Sequence, residues 1–336
     1  MSWWLLIFVL VFSYVLTALL RRYALARNLM DVPNQRSSHS APTPRGGGVA
    51  IVVGFILALS LLFFNDVVAL HVYLGISVAC GLIAIIGFLD DHGHIPARWR
   101  LIGHFCAAAW GLYFLGGLPP IVIFGWTVSL GIAGNILAAF FLVWMLNLYN
   151  FMDGIDGLAS VEAVTTCFGG ALIYYLAGAH DNILLILVLG FGVLGFLAWN
   201  FPPARIFMGD AGSGFLGIAL GFFSLQAAIA APELLWSWLI LLGVFIIDAT
   251  VTLLRRLLRG EKVYEAHRSH AYQYASRQFG KHLPVTLAVL VINLIWLLPI
   301  AIWVGVGGLD GGLGLLLAYT PLIFLALKYK AGVRDN

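Results

Sequence analysis

The sequence predicts an all-α, polytopic integral membrane protein, and three observations predict it. Of the 336 residues, 62% are hydrophobic and only 10% are charged, and mean hydropathy is +0.98. A soluble domain carries about 25% charged residues, so this chain has too little polar surface to cover a soluble globule, and lipid must be part of its solvent. Apolar runs near the ~20 residues that cross a hydrocarbon core recur from end to end, with no long polar linker between them. Finally, all 18 lysines and arginines fall in alternate connections between those runs.

Eleven runs qualify: 3–20, 48–64, 70–89, 101–118, 130–149, 158–177, 183–199, 215–231, 234–254, 284–304 and 312–327. The first lacks a basic start and a small-residue cleavage site, and Arg21 and Arg22 follow it at once. It therefore reads as a retained helix and not as a cleaved signal. With eleven crossings, the segments 21–47, 90–100, 150–157, 200–214, 255–282 and the tail from Lys328 share one side and hold every Lys and Arg. The opposite connections, around Asn65, Pro119, His180, Pro232 and Gly307, carry acids but no base. Bases accumulate in cytoplasmic loops, so the basic side is the cytoplasm, with the N-terminus outside and the C-terminus inside. One integral membrane domain, 1–336, is expected, without internal repeat. Cys80, Cys106 and Cys167 lie inside apolar runs without a CxxC pair, which argues against a disulfide framework or a cysteine metal site.

The external connections are too short to build a site, whereas the cytoplasmic segments are rich in Asp, Asn, His, Arg and Gly. Asp90-Asp91-His92-Gly93-His94 ends the third run. Adjacent carboxylates at the negative end of a helix dipole are unfavourable unless they share a cation or a proton. Asn147, Asn150, Asp153 and Asp156 recur every three residues at the end of the fifth run. If the helix continues, they share one drifting face, and such a row is costly to bury without ligands. Gly154 and Gly157 allow a turn there. The third cluster runs from Asn200 through Phe207, Gly209, Asp210, Gly212 and Ser213 to Gly214. A Gly/Ser-rich loop entering a helix offers backbone N–H groups as a nest for phosphate oxygens. A carboxylate such as Asp210 beside phosphate implies a divalent cation, and Mg²⁺ suits few carboxylates. Phe207 is either a stacking platform for a base or a packing residue.

The fourth cluster begins with Arg255, Arg256 and Arg259, which read as headgroup anchors. His267 and His270 follow, with Arg268 between them, as candidates for a pyrophosphate. In the first cytoplasmic segment, Arg36, His39 and Arg45 stand out, and Arg45 before three glycines reads as a phosphate contact or as an anchor. Glu162 and Asp248 are acids within apolar runs, functional candidates by position but without an assigned role. Carboxylates, amides, cations and a phosphate nest beside a bilayer suit phosphoryl transfer, which depends on positioning and electrostatic stabilisation. Nothing points to a nucleic-acid polymer as partner.

These motifs resemble the polyprenyl-phosphate N-acetylhexosamine-1-phosphate transferases, a group within glycosyltransferase family 4. The resemblance runs from Asp31 to His270 and is most specific at 147–158 and 207–213. It implies a Mg²⁺-dependent enzyme, with Mn²⁺ as a substitute, in which undecaprenyl phosphate attacks the β-phosphate of a UDP-N-acetylhexosamine and releases UMP. It further implies that Asp210 ligates the metal and that Asp90 and Asp91 bind or deprotonate the lipid phosphate. By the same resemblance Asn150, Asp153 and Asp156 serve the nucleotide site, and Asn200 and Phe207 lie near uridine; Asn147, Gly209, Gly212, Ser213, Arg45 and Arg268 are expected, from the residue patterns above, to contact substrate as well. His267 and His270 match a late histidine motif that meets the diphosphate. The family also implies a bacterial inner-membrane location and a homodimer. The peptidoglycan branch has a Lys after the Asp pair and adjacent histidines in the late loop, and this chain has neither, so the O-antigen-initiating branch is the nearer likeness. Direct attack by the lipid phosphate and a covalent phosphosugar-aspartate intermediate both remain open. Two other classes compete: an intramembrane prenyltransferase, which leaves the Gly-Asp-Ala-Gly-Ser nest unexplained, and a secondary transporter, which is expected to show repeats and midplane polar groups.

Overall fold

A computed structural model describes residues 3–33, 38–39, 41–93, 95–262 and 267–334; Arg36 and His94 lie outside the described residues. The chain folds into helices α1 (Trp4–Ala26), α2 (Val49–Phe64), α3 (Leu70–Gly93), α4 (Ala97–Leu115), α5 (Gly131–Met152), α6 (Leu158–Leu176), α7 (Ile183–Asn200) and α8 (Asp210–Ala230). These are followed by α9 (Pro232–Leu241), α10 (Gly243–Leu258), α11 (Ala271–Phe279), α12 (Leu283–Val291), α13 (Leu298–Val306) and α14 (Gly311–Lys328). Among the described residues, strand content is confined to two short antiparallel pairs, β1 (Met30–Asp31) with β2 (Thr43–Pro44) and β3 (Ile121–Ile123) with β4 (Trp126–Val128). The all-α expectation holds.

Among the described residues, eight helices are long and apolar enough to cross a membrane, or nine when the pair α9–α10, bent by 71°, is counted as one span. The other two expected runs are helical but differ in kind. Helix α2 has only 16 residues, and α4 starts early enough to carry Arg98 and Arg100 in its first turn. The tenth run is interrupted by a π turn, Ile292–Leu297, between α12 and α13. Pro299 follows directly and has no N–H to continue the ladder. Asn293 in that turn is drawn inward, where its side-chain N–H groups donate to Glu162 (2.7 Å) and Thr165 (2.8 Å) of α6. One of the two orphan acids of the sequence is thus a brace between helices.

Helices α6 and α8 form the centre, the most deeply buried spans of the bundle. Small residues let backbones approach there: a Cβ on Gly217 of α8 would lie 2.5 Å from the Met145 carbonyl oxygen of α5. Large apolar side chains on the outer helices, such as Tyr113, Ile132, Leu258 and Ile295, face outward, as lipid contact requires. The polar segments gather at the two ends. At one end the β3–β4 hairpin receives the Trp236 indole N–H on the Val122 carbonyl (2.6 Å). At the other end the basic segments pack on one another.

Candidate active site

The loop before α8 is the hub of the basic end. Phe207 N–H donates to the Pro44 carbonyl (2.8 Å), and Gly47 and Gly48 N–H donate back to Phe207 and Met208 carbonyls (2.9 Å each). The segment between α1 and α2 is thereby laid along the 207–209 loop. A Cβ on Gly48 would meet Gly212 Cα at 2.5 Å, so these glycines serve close backbone approach. Gly209, at φ +79°, turns the chain into α8 with a conformation that glycine adopts without cost.

The expected phosphate nest is filled from within the protein. Asp91 accepts from the backbone N–H groups of Asp210 (3.2 Å) and Ala211 (3.4 Å). The next two N–H groups, of Gly212 and Ser213, are used by the Gly209 carbonyl. A carboxylate at a helix N-terminus answers the same dipole and donors that a phosphate would. Asp91 is also paired with Arg45, and Asp90 with Arg100 and the Ile95 N–H. Both carboxylates of the Asp pair are buried and held in these contacts.

Asp210 lies on the wall between two cavities. The larger, about 200 Å³, is lined by Arg45, Asp153, Asp156, Asn200, Phe207, Gly209 and Asp210, together with Asp31, Ser38, His39, Gln273 and His282. The smaller, about 50 Å³, is lined by Asp90, Asn147, Asn150 and Asp210, by Arg100 and His104, and by apolar residues including Ile83, Ile86, Leu146 and Phe151. Arg100 approaches Asp210 at 3.9 Å. Asn150 donates to Ser213 Oγ (3.0 Å), tying α5 to α8.

Asp153 has its carboxyl held well above the usual carboxylate range, first by burial and then by the charges of Asp210 and Asp91. Asp156 is committed on both oxygens: one pairs with His282 Nδ1 (3.0 Å), the other accepts from Ala204 N–H (3.0 Å). The Asp156 pairing and the Ser38 carbonyl (2.9 Å from Nε2) raise the His282 pKa, against burial that lowers it. Asn200 is a cross-brace, with its oxygen accepting from Gly157 N–H and Ser160 Oγ and its amide donating to Ile206. Phe207 meets the His39 ring edge-on, with centroids 4.9 Å apart.

The late histidines stand apart from both cavities. His270 is buried at the start of α11, with Nδ1 3.3 Å from Asp248. Asp248, the second orphan acid, also accepts from Ala271 N–H (2.9 Å) and Tyr272 N–H (3.0 Å), and so caps α11. His267 stacks on His270 at 4.9 Å, and burial together with His270 holds its pKa down at about 3. Arg268 lines a separate cleft. Among the described residues of the 255–282 segment, Gln273 and His282 line the larger cavity. The sequence reading missed Arg100, Gln273 and His282. Arg100 had a signal, a base in the first turn of the helix after the Asp pair; Gln273 and His282 had none.

A family model described as Glycosyl transferase family 4 matches residues 73–228. The chain is 30% identical to a probable undecaprenyl-phosphate N-acetylglucosaminyl 1-phosphate transferase of Bacillus subtilis, over 84% of this chain and 78% of the relative. It is 30% identical to a phospho-N-acetylmuramoyl-pentapeptide-transferase of Streptococcus pneumoniae, over 73% and 77% respectively. A decaprenyl-phosphate N-acetylglucosaminephosphotransferase of Mycolicibacterium smegmatis is 29% identical over 88% of this chain and 78% of its own length. The family match includes Asp90, Asn147, Asn150, Asp153, Asp156, Asn200, Phe207 and Asp210, and the family sets aside the prenyltransferase and transporter readings. The chain belongs to the polyprenyl-phosphate N-acetylhexosamine-1-phosphate transferase family and is a multi-pass membrane enzyme of the phosphosugar-transferase type.

Proposed function

We propose that this enzyme transfers N-acetylhexosamine-1-phosphate from a UDP-sugar to undecaprenyl phosphate at the cytoplasmic face of a bacterial inner membrane. The observation that carries the reading is Asp210 at the wall between a larger polar cavity and a smaller one flanked by apolar helix residues. Two substrates of opposite solubility need such an arrangement. In the larger cavity Phe207 offers a ring face to uracil, and Arg45 reaches a diphosphate. In the smaller, Arg100, Asn147 and Asn150 receive the lipid phosphate, with the prenyl chain leaving along Ile83, Ile86 and Leu146.

An oxygen of the lipid phosphate attacks the β-phosphorus of the UDP-sugar. The bond from that phosphorus to the oxygen bridging it to the α-phosphate breaks, and UMP departs with that oxygen. The sugar keeps its own phosphate, now joined to the lipid as a diphosphate. Arg45 and Arg100, each steadied by one Asp of the pair, hold the two phosphates from opposite sides, which is the positioning on which phosphoryl transfer depends. The Asp pair therefore acts by fixing these arginines.

The carboxyls of Asp91, Asp153 and Asp210 crowd one another beside the guanidiniums of Arg45 and Arg100, of which Arg100 is already paired with Asp90, so a cation is favoured there. No cluster of three His, Cys, Asp or Glu ligands occurs among the described residues. That donor set suits an ion that keeps water and phosphate oxygens as ligands, as Mg²⁺ does, with Mn²⁺ as a substitute. Asp210, with Asp153 near it, would hold the ion, which when bound offsets the charge of the diphosphate oxygens. The absence of a Lys after Asp90-Asp91 and of adjacent late histidines favours the O-antigen-initiating branch over the peptidoglycan one. Incubating the purified chain and undecaprenyl phosphate with a panel of UDP-N-acetylhexosamines tests the reading. UMP release is expected with an unsubstituted hexosamine donor and not with UDP-muramoyl-pentapeptide; the reverse preference would refute the branch assignment.

A further inference from the structure

We infer, on the transferase reading above, that His104 is a further acceptor-binding residue, donating a hydrogen bond to the phosphate of the lipid substrate in the smaller cavity. Helix α4 turns a stripe of small or apolar residues inward: Ala107, Ala108, Gly111 and Leu112. His104 lies one turn before them on the same face and is only 8% exposed. A residue that merely filled this place would be apolar, since a polar group buried without a partner is costly. Among the described residues, His104 Nδ1 is buried and has no hydrogen-bond partner.

Arg100 stands one turn earlier on α4, and both side chains line the smaller cavity with Asp90, Asn147, Asn150 and Asp210. The other polar groups there are already held by neighbours. Arg100 pairs with Asp90, which also accepts from the Ile95 N–H (2.7 Å), and it approaches Asp210 at 3.9 Å. Asn147 donates to the Val143 carbonyl of its own helix (2.7 Å), and Asn150 donates to Ser213 Oγ (3.0 Å). His104 is the exception. An N–H sealed at Nδ1 without an acceptor would be costly, so the ring carries its proton on Nε2. A phosphate monoester brought beside Asp90 and Asp210 is repelled by both carboxylates and needs donors as well as the Arg100 charge. Nε2–H supplies one, and a hydrogen bond to a charged oxygen is stronger than one to a neutral acceptor.

Retention of undecaprenyl phosphate against undecaprenol by the full chain in nanodiscs, read by native mass spectrometry without any UDP-sugar, tests this role. Wild type is expected to prefer the phosphate, and His104→Leu to lose about tenfold of that preference, the scale of one hydrogen bond to a charged group. His104→Gln, which keeps a side-chain N–H donor, recovers most of it. The thermal midpoint of His104→Leu should match or exceed that of wild type, because the substitution removes an unpartnered buried polar atom; a purely structural histidine would lower it. In steady-state UMP release, His104→Leu raises the KM for undecaprenyl phosphate and leaves the KM for the UDP-sugar unchanged. Unchanged retention in His104→Leu, an equal loss in His104→Gln, a lowered midpoint, or an equal rise in both KM values overturns the proposal. Wild type that retains undecaprenyl phosphate but releases no UMP sinks the transferase reading alone, whereas wild-type turnover with unchanged retention in His104→Leu sinks the role of His104 alone.

Discussion

Asp91 accepts a guanidinium and two backbone N–H groups, and Asp156 accepts His282 and the Ala204 N–H. At this scale the site is a set of carboxylates of which most are committed to holding something else. The sequence named these acids but not their partners, because Arg45 and Asp91 are 46 positions apart and His282 and Asp156 are 126 apart. His282 gives a prediction of its own. Its ordinary pKa of 6.5 is raised in the folded chain, so the stabilisation it supplies is fully present below about 6.5 and is lost as pH rises through the folded value. The thermal midpoint of wild type relative to His282→Gln should therefore fall as pH is raised from about 6 to about 9. A difference that stays constant or grows over that window would show that the Asp156–His282 pair is not charged as described.

Among the elements, the broken helices carry the information. Runs of apolar residues announced the helices, and bends could not be read from them, since a 71° turn between α9 and α10 leaves hydropathy unchanged. Glu162 and Asp248 looked alike in sequence, each an acid in an apolar run, yet one braces a π turn and the other caps α11. Their partners lie on other helices, which periodicity does not report. Replacing Asn293 by Leu removes the donor that Glu162 and Thr165 share in the core. A destabilisation of about 1–3 kcal/mol is expected from the unsatisfied group, with the KM for donor unchanged because the brace is remote from both cavities. Midpoints in a denaturant or thermal series check this, and an unaffected midpoint would contradict the brace.

For the whole molecule, the one-sidedness of the bases was legible from loop charge alone, and the packed basic end agrees with it: Arg21 reaches the Arg205 carbonyl (3.1 Å) and His282 reaches Ser38. The identity of the cavity walls was legible only in part: Gly212 of the loop before α8 also admits the backbone of Gly48, and His270 pairs with Asp248 while His267 stacks on His270, contacts that no spacing in the sequence reports. Sidedness itself is testable. In a chain whose three native cysteines are replaced, Lys281→Cys should label only from the cytoplasm and Asp181→Cys only from outside; the opposite pattern would invert the proposed topology.

Asp210 is proposed to stand where donor and acceptor phosphates meet. UMP release from UDP-N-acetylhexosamine and undecaprenyl phosphate, measured for wild type and Asp210→Asn at matched expression and thermal midpoint, tests it most directly. Release by wild type is expected only when both substrates and Mg²⁺ are present, with a loss of about 10³-fold in Asp210→Asn, the scale of removing a group that stabilises transferring charge. Turnover of Asp210→Asn within a few-fold of wild type would contradict it.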